Sequence, residues 1–68
     1  MCELAEDVWK LRFAQRLQVF FVSRGASPQN ALADAHAHAE GQYVARGNGT
    51  PEEHAEAEIA AIQAEFDA

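Results

Sequence analysis

A chain of 68 residues with a net charge of −6 and one cysteine, Cys2, is a single small domain with a core of marginal size and no internal disulfide. Residues 1–25 sum to +1 and residues 26–68 to −7, which argues against generic binding of DNA or RNA and permits a partner with a basic surface. The longest run of large apolar residues, Val19 to Val22, is far too short for a membrane span, and the opening MCELAED is acidic where a secretory leader is basic; a cytoplasmic protein without membrane association is expected.

The first predicted helix covers about residues 3–23. Glu3, Glu6 and Asp7 lie at its start and Arg24 at its end, both favourable for the helix dipole, and Gly25 is a plausible stop. Ser27-Pro28 opens a second helix, with Ser27 as N-cap and Pro28 at the first helical position, running to about Arg46. Gly47-Asn48-Gly49 breaks it, and Asn48-Gly49-Thr50 reads as turn chemistry. Thr50-Pro51-Glu52-Glu53 then opens a third helix over about 51–66, with Thr50 and Glu53 forming a capping box. The expected fold is an all-α three-helix domain spanning residues 1–68.

The faces differ in what they demand. The third helix carries a narrow seam of Ala55, Ile59, Ile62 and Phe66, and the second a seam of Leu32, Ala35, Ala39 and Tyr43, with His36 on its edge. The first helix holds ten large apolar residues against six in the other two together. Nine of them form two faces: Leu4, Val8, Leu11, Val19 and Val22 on one, and Trp9, Phe13, Leu17 and Phe20 roughly opposite. A helix apolar on two sides must be covered on two sides. Narrow, alanine-rich neighbours leave one side uncovered, and the reading assigns Trp9, Phe13, Leu17 and Phe20 to an association surface that makes the protein a homodimer through helix one.

The segment from Asp34 to Glu40 places two histidines and two carboxylates within seven residues. On a helix His36 and His38 diverge by about 160°, so they cannot chelate one metal. The facing pairs are His36 with Glu40 and Asp34 with His38, each short of the three or four ligands that zinc needs. Neither HExxH nor CxxC occurs. These contacts read as helix-stabilising pairs, and no metal or cofactor is expected. Ser27 and Thr50 are explained as caps, no glycine-rich phosphate loop is present, and no enzyme activity is expected.

A recognition helix for DNA needs basic side chains, and the third helix has none. The expectation is a small acidic module for protein–protein contact: a regulator, an adaptor, or an inhibitor of a basic or nucleic-acid-handling partner. Glu52, Glu53, Glu56 and Asp67 would form its acidic partner surface. The alternative is a dimeric DNA-binding regulator using Lys10, Arg12 and Arg16 on the basic side of helix one.

Overall fold

The computed structural model describes residues 4–67, with Asp67 described by its backbone alone. It is a three-helix all-α domain: α1 Glu6–Ser23, α2 Pro28–Val44 and α3 Pro51–Asp67. No strand occurs among the described residues.

The local chemistry explains the boundaries. Helix α1 starts three residues later than expected, because Ala5 is extended and offers no side-chain cap. Its end is a Schellman motif: Ala26 N–H donates to the Phe21 carbonyl and Gly25 N–H to the Val22 carbonyl, with Gly25 at φ 104°. The hydroxyl of Ser27 accepts from Asn30 N–H to open α2. That helix stops at Val44, two residues early, where Arg46 N–H tightens onto the Tyr43 carbonyl and Gly47 takes φ 54°. The capping box of α3 is complete: Glu53 N–H donates to Thr50 Oγ1 at 3.1 Å, and Thr50 N–H to Glu53 Oε1 at 2.9 Å.

Side-chain pairings give the topology. Trp9 meets Gly49, Arg12 meets Glu52 and Arg16 meets Glu56, always forty residues apart, so α1 and α3 run parallel in fixed register. Lys10 meets Glu40 while Gln18 meets Pro28, so α2 runs antiparallel to α1. His38 meets Glu58 and Gln42 meets His54, so α3 runs antiparallel to α2.

The core overturns one expectation. Trp9, Phe13, Leu17 and Phe20, read from the sequence as an association surface, are 0–8% exposed and form the centre of the domain. Helices α2 and α3 both pack against α1, on its aromatic side. The physical reason lies in the alanines. Ala31, Ala35 and Ala39 on α2, Ala55 on α3 and Ala14 on α1 are fully buried. Small residues cover a large neighbour by close backbone approach, without bulk of their own. Trp9 stacks on Phe13 at 5.7 Å, and Tyr43 and His54 approach it edge-on at 5.6 and 5.4 Å. Burial of each large side chain contributes about 1.5–3 kcal/mol, which rewards enclosing these four within one chain.

Candidate interaction surface

Enclosing the aromatic side leaves the other side of α1 open. Leu4, Val8, Leu11, Val19 and Val22 are 36–63% exposed. Leu4 precedes the helix; Val8, Leu11, Val19 and Val22 share one face of it, with Gln15 exposed at its centre. Asp7 and Arg12 lie at the edges of this face, and no charged side chain falls inside it. From Val8 to Val22 it is about 21 Å long. Both faces are legible in the sequence, but the one expected at the exterior is the one buried. A usable signal was present in the charges: Arg12 and Arg16 flank the aromatic side at a spacing that matches Glu52 and Glu56. This matching places α3 beside Trp9 and Phe13.

The same pairing engages residues of the expected acidic partner surface. Glu52 accepts from Arg12 Nε and Nη2, both at 2.9 Å, and Glu56 pairs with Arg16. Glu53 is occupied by its cap; the Thr50 backbone N–H, followed by its hydroxyl, holds the carboxyl below the usual value. The side chain of Asp67 lies outside the described residues. Three of the four proposed partner carboxylates therefore serve the fold. The cations named for DNA are engaged as well. Lys10 sits between Glu40 and Glu6, which raise its pKa in that order of importance, and Arg12 and Arg16 face α3.

The histidines divide their roles between helices. His36 is exposed, and His38 contacts Glu58 at 3.3 Å and the Phe21 ring at 5.9 Å. Glu40 reaches Lys10 on α1 at 2.8 Å. The expected contacts within α2 are replaced by contacts between helices, because α1 and α3 offer partners that tie elements together. His54 is the most constrained of the three. Its Nε2 donates to the Arg46 carbonyl at 2.9 Å, Nδ1 lies 3.0 Å from Gln42 Oε1, and its ring meets Trp9. Among the described residues no three His, Cys, Asp or Glu side chains converge as a metal site, and no helix is long and apolar enough to cross a membrane.

A groove of about 380 Å³ opens where Phe20, Phe21, Arg24, Asp34, Ile62 and Phe66 meet. The Arg24 guanidinium lies over the rings of Phe20 and Phe66 at 5.7 and 5.4 Å, and Phe66 is 72% exposed. The outer alanines of α3, Ala57, Ala60, Ala61 and Ala64, are exposed.

Comparison with known protein families, with curated proteins and with solved structures finds no significant match.

Proposed function

We propose that this protein is a small association module that works by protein contact, with α1 as its contact helix and a homodimer as its working form. The observation that carries this reading is the open aliphatic face of α1. A domain this small gains little by leaving five large aliphatic residues wet, and a contiguous apolar patch on a soluble domain marks a contact site. The contact surface is Leu4, Val8, Leu11, Val19 and Val22. Helices α2 and α3 then face outward and carry the excess negative charge, which suits a regulator or adaptor acting on a second, basic protein.

The test is the mass in solution. Sedimentation at micromolar concentrations is expected to give more than one chain for the unmodified protein and one chain for Leu11→Glu. Leu11 is 45% exposed, so the charge enters the contact face and spares the core. Circular dichroism of the variant should remain helical. An unmodified protein that stays monomeric throughout this range defeats the homodimer.

A further inference from the structure

The face that carries the proposed association also has a direction. Val8, Leu11, Gln15, Gln18 and Val22 recur at spacings of three, four, three and four, a two-heptad seam with Val8, Gln15 and Val22 at a and Leu11 and Gln18 at d. Within a parallel coiled coil, Val at a with Leu at d, as at Val8 and Leu11, favours two strands over three or four. The same register puts Asp7 at g and Arg12 at e. In a parallel pair, g of one helix faces e of the partner five residues on, which brings Asp7 of each copy to Arg12 of the other. Asp7 has no ion pair among the described residues. Arg12 binds Glu52 through Nε and Nη2, leaving Nη1 unused by that pair.

Building on the association reading, we infer that the occupant of the α1 face is a second copy of this chain in parallel orientation, with Val8, Leu11, Gln15 and Val22 each meeting their own counterpart and two Asp7–Arg12 pairs flanking the seam. Gln15 fits this arrangement. Its side chain is exposed at the centre of the face and makes no hydrogen bond among the described residues, and parallel pairing sets amide against amide, each with donors and an acceptor. The antiparallel pair with the longest overlap of α1 places Val8 against Gln18 and Leu11 against Gln15. Slid by one heptad one way, it sets Leu11 against Val22 and Gln15 against Gln18 but leaves Val8 beyond the end of α1 at Ser23; slid the other way, it sets Val8 against Leu11 but overlaps less than half of α1 and leaves Val19 and Val22 uncovered. Antiparallel pairing also sets e beside e and g beside g, so Asp7 no longer meets Arg12.

A disulfide reports the orientation. In a Cys2→Ser background, Val8→Cys is equilibrated in a thiol redox buffer, with Val44→Cys, 83% exposed on α2, as the collision control. Parallel pairing brings residue 8 to its counterpart, within reach of a disulfide, whereas the two antiparallel alignments that overlap more than half of α1 hold the two about 15 Å or more apart along the axis. The expected result is a dimeric mass and a Val8→Cys disulfide well above the Val44→Cys level. A dimeric mass without that disulfide overturns the orientation and leaves the homodimer standing; a monomeric mass overturns both. The charges give a second readout. Asp7→Arg and Arg12→Asp are each expected to weaken self-association about tenfold, since each sets two like-charge pairs across the seam, and mixing the two variants is expected to restore it. No restoration on mixing overturns the Asp7–Arg12 pairing.

Discussion

A Cβ placed on Gly49 would stand 2.5 Å from Nε2 of His54 and 3.2 Å from the Arg46 carbonyl oxygen that this nitrogen contacts. The α2–α3 turn is thus closed against the imidazole, and the Trp9 indole also fastens it with a hydrogen bond to the Gly49 carbonyl at 3.4 Å. His54 cannot swing away without losing the Arg46 carbonyl and its contact with Trp9. Gly49→Ala is expected to cost about 1–3 kcal/mol, as overpacking does. Two other glycines give contrasting outcomes in the same denaturation assay. Gly25→Ala is expected to cost about 1–2 kcal/mol, because φ 104° lies in the left-handed region, although nothing crowds its Cβ. Gly41→Ala, inside α2 with nothing near its Cβ, is expected to stabilise by about 0.5–1 kcal/mol. Equal effects at all three positions would contradict the geometry.

The alanine seam makes a second prediction. Ala35 is fully buried against the α1 aromatics, so Ala35→Leu is expected to destabilise by about 1–3 kcal/mol even though it adds apolar surface. Phe13→Ala, at a position with no exposure, should cost about 3–5 kcal/mol and leave little native protein at room temperature. A gain in stability from Ala35→Leu, read in urea, would mean that the helices do not approach as closely as described.

Stability should carry two pH-dependent contributions at opposite ends. The Glu53 carboxyl is held below its ordinary value by the cap, so its contribution is present above the unfolded value and lost as pH falls through the lower folded one. Lys10 is raised by Glu40 and then Glu6, so its contribution is present below the unfolded value and lost as pH rises through the higher folded one. Glu53→Gln keeps the cap geometry and should remove the acid-side dependence. Lys10→Met should remove the alkaline one, which lies above about pH 10.4. Melting temperature against pH reads both; unchanged acid limbs in Glu53→Gln would rule out the cap as their source.

The Arg12–Glu52 and Arg16–Glu56 pairs align α3 more than they stabilise it. Their side chains are 39–57% exposed, where ion pairs are worth about 0–1 kcal/mol. A double-mutant cycle on Arg12 and Glu52 should give a coupling in that range, larger than for Arg16 and Glu56 because the Arg12 fork donates twice, and both should fade in high salt. Couplings of several kcal/mol would show a buried network that these exposures do not provide.

Removing the cap of α3 should be visible too. Thr50→Ala leaves Glu53 N–H without its hydroxyl acceptor and is expected to cost about 0.5–2 kcal/mol. The Glu53 carboxyl should rise at the same time, since the hydroxyl is one of its two stabilising contacts. A stability loss without that rise would separate the two halves of the box.

The sequence by itself determined what depends on neighbours within a few residues. Ser27-Pro28, Thr50-Pro51 with Glu53, and Gly25 mark the helix boundaries through caps and a left-handed stop, which act over one turn of chain. Periodicity likewise divided α1 into an aromatic and an aliphatic face. It did not determine which face goes inside, because that depends on how closely α2 and α3 can approach. Counting large residues made the alanine-rich seams look too poor to cover Trp9, Phe13, Leu17 and Phe20. In the folded chain Ala35, Ala39 and Ala55 bring backbone against the aromatic cluster, while the forty-residue register of Arg12 with Glu52 and Arg16 with Glu56 holds α3 to the same side. Only the tertiary structure decided that the aliphatic face stays open, since enclosure depends on the fit between surfaces and each helix alone shows just one of them.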